Sequence, residues 1–326
     1  MAMKGFDPRY PDLPAWILGI TREIWEERGL HRLRDYYAPD IVVRSPAGVS
    51  RGNEAVIAAT AATLAELPDR QLLGEDVIWC GDPEAGMLSS HRILSTATHA
   101  GDGQFGRATG RRLVYRVIAD CHARDGRIDD EWLIRDLGAI VRQLGSDPLT
   151  FAREQIAREG GPERCARPLT PATDQPGPYR GRGEPGAWGA LYADLLTRIM
   201  AGELSVIARE YDRACELALP GGVTGHGPAA ADRFWLGLEA AFPDARFTIE
   251  HAIGRLDPLL PPRAALRWSL FGRHAGFGAF GPPSGAEVHV MGLSHAEFGL
   301  RGLRREWVLI DEVAIWKQIL LATGAV

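Results

Sequence analysis

An internal repeat constrains this chain more than any other feature. The stretch His99–Asp136, HAGDGQFGRATGRRLVYRVIADCHARDGRIDDEWLIRD, returns in degraded form as His274–Asp311, HAGFGAFGPPSGAEVHVMGLSHAEFGLRGLRREWVLID. The offset, 274 minus 99, is 175 residues, and it also joins Arg92 to Arg267, Gly110 to Gly285, Glu131 to Glu306, Trp132 to Trp307 and Asp136 to Asp311. Pro68-Asp69 and Pro243-Asp244 keep the same spacing upstream. A chain of 326 residues with two such units holds two copies of one domain. Two long units imply an internal pseudo-dimer, because a solenoid needs three or more shorter ones.

Within the first copy the hydrophobic period changes from helical to strand-like. Residues 1–14 read as an arm lying on the first domain. Trp16, Ile20, Ile24 and Trp25 recur at helical spacing and predict a helix from Trp16 to Tyr37, stopped by Pro39. Ile41-Val42-Val43 reads as a short strand, Ser45-Pro46-Ala47-Gly48 as a turn, and Asn53–Leu67 as a second helix. After Pro68 the candidate strands are Leu72–Cys80, Met87–Thr98, Arg112–Ala123 and Arg127–Arg135. Asp125-Gly126 between the last two is a hairpin signal, since both central residues of the favoured turn need positive φ. Residues 138–159 read as helical and polar. Helices followed by a curved antiparallel sheet make an α+β fold.

The chain thus divides into a first copy at 1–150, a helix end and Pro/Gly-rich linker at 151–186, and a diverged second copy at 187–326. The second copy is expected to repeat the order: a helix at 187–218, a turn at LPGGVTGHG, a helix at 229–241, then strands to Ile315.

Composition excludes several function classes. A net charge of -5 and the absence of a basic run give no footprint for nucleic acid or membrane headgroups. Cys80, Cys121, Cys165 and Cys215 lack metal or redox spacing and read as reduced thiols. No apolar run approaches the roughly 20 residues that cross a bilayer, and the N-terminus has no signal-peptide core. A cytoplasmic location is the expectation. The histidines show no ligand spacing, so no metal is expected.

GDGQFG at 101–106 and GFGAFG at 276–281 match the glycine pattern of dinucleotide folds, but a strand follows each where that motif requires a helix. They read as inter-strand loops. His99 and His274 open those loops and are candidates for proton transfer or for hydrogen-bonding the loop. On the last strand, alternation places Glu131, Leu133 and Arg135 on one face and Trp132, Ile134 and Asp136 on the other. An inward Glu131 among aliphatic neighbours would have a raised pKa and could shuttle protons; an outward one would pair with an arginine. A two-residue turn sets Asp120 opposite Glu131 as a carboxylate pair, whereas a bulged turn sets Ala119 there.

The helices-then-sheet order, the Arg-x6-His-Ala-Gly loop, the TGR strand start and the tail DGRIDDEWLIRDLGAIVRQLG together resemble the SnoaL-like polyketide cyclases and ester cyclases of the nuclear transport factor 2-like superfamily. That resemblance implies two cone-shaped domains, each with helices closing one end of a curved sheet and a ligand hollow between. It also implies a last-strand carboxylate that is acid and base in an intramolecular aldol closure, without cofactor or metal. Alignment on the tryptophan puts Glu131 at that position, and alignment on the QLG tail puts Leu133 there; in the second copy the choices are Glu306 and Val308.

The expectation is therefore cofactor-free acid/base chemistry (cyclase, isomerase or lyase) on a small apolar or aromatic carbonyl compound. Glu131, His99 and Asp120 are the candidate catalytic residues, and Arg92, Tyr115, Trp132 and Asp136 the candidate binding residues. Their second-copy equivalents are Glu306, His274, His295, Arg267, Trp307 and Asp311. The first copy, which keeps Tyr115 and Asp120, is expected to be the active one. The rival expectation is a non-catalytic binding protein whose second copy is a built-in dimer partner. Further association of two chains is left open.

Overall fold

In the computed structural model, which describes residues 3–325, both copies have the same architecture. The first comprises α1 (Leu13–Thr21), α2 (Leu33–Tyr36), β1 (Tyr37–Ser45), β2 (Gly48–Arg51), α3 (Asn53–Glu66), β3 (Gln71–Asp82), β4 (Gly86–Thr98), β5 (Arg112–Arg124), β6 (Arg127–Arg135), α4 (Leu137–Gln143) and α5 (Pro148–Arg158). The second comprises α6 (Gly186–Ile199), α7 (Ser205–Glu210), β7 (Tyr211–Leu219), β8 (Val223–His226), α8 (Pro228–Ala241), β9 (Arg246–Arg255), β10 (Arg263–Arg273), β11 (Glu287–Gly299), β12 (Gly302–Leu309) and α9 (Glu312–Thr323). The two six-stranded sheets have matching orders, β2-β1-β6-β5-β4-β3 and β8-β7-β12-β11-β10-β9. The β1–β6 and β7–β12 pairs are parallel and the others antiparallel.

Several element readings change. The helix expected from Trp16 to Tyr37 breaks after a π turn at Arg22–Glu26, and Arg28 adopts φ 59° there. Pro39 lies inside β1. The last eight residues of the expected helix at 187–218 belong to β7 instead, since parallel pairing with β12 outweighs their helix-forming composition. Asp311 caps a helix where strand was expected to run on to Ile315. The helices of 138–159 are amphipathic, not polar: Ile140, Val141, Phe151 and Ile156 are buried, the last three in a cluster with Val313 and Leu320 of α9. Met3 and Phe6 pack into the first core, with Phe6 edge-on to Trp16 at 5.0 Å. Among the described residues no helix is long and apolar enough to cross a membrane.

Each sheet packs one face on its own helices and the other on its partner sheet. Ile118 and Ile134 meet Met291, Leu293 and Leu309 there, and Ile78 and Leu88 meet Ile253 and Ala265. The linker is ordered along this seam. Leu169 is buried in the first of these clusters, its N–H bonded to the Pro46 carbonyl, and Tyr179 bonds His251 at 2.7 Å.

Behind the sheets the two cores differ. The second copy has one continuous cluster centred on Tyr192, Trp235 and Trp268. The first has two, one around Trp16 and Tyr37 and another around Tyr115 and Ile140. A cavity lies beside both.

Candidate active site

The β5–β6 hairpin decides which carboxylate enters that cavity. Asp125 and Gly126 form the expected turn, with φ of 51° and 73°. Arg124 pairs with Arg127 and Ala123 with Ile128, but His122 then pairs with Asp130, so β6 carries a bulge. Cys121 consequently stands opposite Glu131, where a two-residue turn would place Asp120 and the bulge envisaged from sequence Ala119. No Asp120–Glu131 pair forms, because the two carboxylates lie on opposite faces of the sheet.

The cavity, about 170 Å³, is lined from β6 by Glu131, Leu133 and Arg135, from β5 by Val117, Ala119 and Cys121, and from β4 by His91 and Ile93. Trp25, Tyr37, Thr60 and Arg70 close it. Glu131 is only 7% exposed. Burial pushes its pKa up to about 7, the Tyr37 hydroxyl draws it partly back, and no cation offsets the cost. A carboxyl group so placed is half ionised near neutrality and can both take and return a proton. Burial holds His91 neutral, with its pKa pushed down to about 3.

The other residues singled out from sequence scatter. Tyr115 is buried on the cavity face of β5, and among the described residues its hydroxyl has no hydrogen-bond partner. His99 does not line the cavity. Its N–H and carbonyl bond Arg111, Thr109 and Gly110, its Nδ1 contacts the Thr109 hydroxyl at 3.1 Å, and its Nε2 lies 3.4 Å from Glu66. His274 repeats this with Ser284 at 3.0 Å, so both histidines pin their glycine loops.

Arg92, Asp120, Trp132, Arg267, His295 and Trp307 meet between the sheets, away from the cavity. Asp120 pairs with Arg267 at 2.9 Å, while Arg92 donates to His295 at 3.1 Å. Asp136 caps α4 through the Ala139 N–H and accepts the Gly221 and Gly222 N–H groups of the other copy at 2.9 and 3.0 Å. Asp311 caps α9, and burial pushes its pKa up to about 7. A larger crevice of about 440 Å³ along the seam, lined by Arg44, Trp132, Tyr179 and Arg267 among others, does not include Glu131.

The second copy retains the acid in a filled core. Glu306 is fully buried and accepts the Tyr192 and Tyr211 hydroxyls at 2.8 and 2.9 Å. At the offset of 175, Ile17, Thr60, Leu72 and Ile93 become Tyr192, Trp235, Phe247 and Trp268. All four replacements are aromatic, and they occupy the volume that the first copy leaves open.

Sequence reasoning did not single out Tyr37, Arg70, His91 or Arg135 for the site. For three of them the signal was divergence between the copies, since Arg70, His91 and Arg135 become Ala245, Leu266 and Ile310 at the common offset; Tyr37 instead recurs as Tyr211, each opening the first strand of its sheet.

A sequence profile described as SnoaL-like polyketide cyclase matches residues 15–144 and 192–319. Among solved structures, IdmH from Streptomyces antibioticus is 29% identical over 40% of this chain and 96% of its own, with a TM-score of 0.35. TsrD from Streptomyces laurentii is 24% identical over 40% of this chain and 96% of its own, with a TM-score of 0.36. A SnoaL-like polyketide cyclase from Agrobacterium tumefaciens is 22% identical over 40% and 94%, with a TM-score of 0.32. No curated protein matches the chain.

Proposed function

The chain belongs to the SnoaL-like polyketide cyclase family in both of its copies, and on that premise we propose that its first cavity carries out cofactor-independent acid/base chemistry on a small carbonyl compound. The observation that carries this reading is Glu131, a buried carboxyl poised near pH 7 on an otherwise largely apolar wall. In the proposed cycle the Glu131 carboxylate removes a proton from the carbon between two carbonyls of the ligand. The enolate carbon then attacks a second carbonyl of the same molecule, forming one C–C bond and an alkoxide. The protonated Glu131 returns its proton to that alkoxide, and the enzyme is restored. The Tyr37 hydroxyl, which faces the carboxyl, is placed to donate to whichever oxygen becomes anionic.

The second copy, with its acid enclosed by tyrosines and its core filled, is the supporting half in this proposal. The test needs no natural substrate. The protein is incubated in D2O with a β-keto ester, and exchange of the acidic C–H is followed by proton NMR. Positioned general bases contribute about 10²–10⁴-fold, so Glu131→Gln should lose the catalysed exchange. Equal exchange in the two proteins would instead favour a binding protein.

A further inference from the structure

Five arginines are buried among the described residues, and four of them have carboxylate partners: Arg44 with Asp130 and Asp174, Arg92 with Glu75, Arg263 with Asp76 and Asp257, and Arg267 with Asp120. Arg70 is the exception. It is 9% exposed, lines the same cavity as Glu131, and among the described residues makes no ion pair. Arg135, on the cavity face of β6, also makes none, and the buried Nε of both guanidiniums has no hydrogen-bond partner. The nearby charge of Arg135 adds to burial in lowering the Arg70 pKa, and the Tyr115 hydroxyl beside Arg70 has no hydrogen-bond partner among the described residues. Burial lowers the Arg70 pKa only to about 10, so it remains charged at neutral pH.

Leaving a buried cation without a counter-charge costs several kcal/mol, and folding does not demand it here. The second copy folds the same sheet with Ala245, Ile310, Val290 and Leu266 where the first has Arg70, Arg135, Tyr115 and His91. The polar cluster lines the first cavity, and apolar residues take its place in the second core.

We propose that Arg70 and Arg135 form an anion subsite, and that the ligand of the first cavity is an elongated acid. Its carboxylate is held between the guanidiniums, and its reactive carbon lies beside Glu131. The two ends are four residues apart along β6, about 13 Å at roughly 3.3 Å per residue, with Leu133 between them facing an apolar body. Two guanidiniums suit a carboxylate because each presents a fork of donors to its oxygens. This subsite extends the reading of the cavity as the ligand site but does not depend on Glu131 being a base.

The test compares 4-phenylbutyrate with its uncharged analogue 4-phenylbutanamide by isothermal titration calorimetry on the full chain. Wild type should bind the acid at least about tenfold more tightly than the amide, as expected for charge-assisted bonds. Arg70→Ala and Arg135→Ile, which copy the residues of the second core, should remove that preference, weakening the acid far more than the amide. Arg135→Lys, which keeps the charge, should retain part of it should the larger changes impair folding. Glu131→Gln should keep the preference in full. Equal binding of acid and amide, or no binding of either, overturns the subsite. Proton exchange with the β-keto ester reports on Glu131 separately, so either reading can fail alone.

Discussion

Arg92 lies over the ring of Trp307 of the other copy, its guanidinium carbon 3.5 Å from the ring centroid, and Arg267 repeats the contact on Trp132 at 3.6 Å. The offset of 175 residues exchanges the two pairs. It also relates the next contacts outward, since Arg92 meets His295 and Arg267 meets Asp120, the residue 175 positions before His295. The residues that recur most clearly therefore form a pseudo-two-fold seam. Desolvated cation–π pairs of this kind contribute about 2 kcal/mol.

The seam predicts an asymmetric cost of mutation. Arg267→Ala leaves Asp120 buried without its cation and should destabilise the chain by about 3–5 kcal/mol at pH 8. Burial already raises the Asp120 pKa, and loss of Arg267 raises it further. The mutational cost should therefore shrink as pH falls and Asp120 takes up a proton. Urea unfolding at pH 8 and pH 5 checks this, and an equal loss at both pH values would contradict it.

Glu131 should cost stability where it is needed for chemistry. Its pKa is about 7 when folded, against an ordinary 4.5. Below the unfolded value the carboxyl is neutral in both states and its burial is not penalised. As pH rises through 4.5 to 7 the folded state holds the extra proton, and stability declines to a deficit of about 3 kcal/mol. Glu131→Gln should therefore be more stable than wild type at pH 8, nearly equal to it at pH 4.5, and without exchange activity. Thermal unfolding across that range is the measurement.

His99→Ala should separate loop structure from chemistry. The imidazole bonds Thr109 at the mouth of a glycine loop and does not line the cavity. Removing it should cost about 1–3 kcal/mol of stability and speed amide hydrogen exchange across 99–111, while β-keto ester exchange stays within a few-fold of wild type. A hundredfold loss of exchange activity would return His99 to the candidate catalytic set.

These assignments show what sequence could and could not supply. Strands β3 to β6 lie within two residues of their expected bounds, because hydrophobic alternation and the Asp-Gly turn act locally, whereas β1 begins four residues before the expected Ile41 and β2 was not expected as a strand. The segment 211–218 read as helix because its composition favours helix, and only pairing with β12 makes it a strand. The Glu131 face was legible from alternation, but its partner across the hairpin was not, since a bulge moves the register by one residue. Recurrence at 175 residues pointed to Arg92, Trp132 and Asp136 as site residues because duplication preserves a seam as faithfully as a site. The cavity was written in the differences between the copies.

Those differences make a reciprocal exchange of residues informative. Ile93 lines the first cavity, and Trp268 stands at the equivalent place in the second core, 0% exposed. Ile93→Trp should fill the cavity and abolish acid binding and proton exchange together. Its effect on stability should be within about 1–3 kcal/mol, since strain from overpacking is offset by the apolar area newly buried. Trp268→Ile opens a void in a packed cluster and should cost about 3–5 kcal/mol, as large-to-small core changes do. The new space faces Glu306, but Tyr192 and Tyr211 still hold that carboxyl, and no arginine stands at the positions of Arg70 and Arg135. A cavity alone should then confer neither preference for an acid nor exchange activity on the second copy. Calorimetry and exchange on Ile93→Trp/Trp268→Ile decide the point: restored activity in the double variant would mean that open volume around a buried glutamate suffices, and that the arginines of the first copy are incidental.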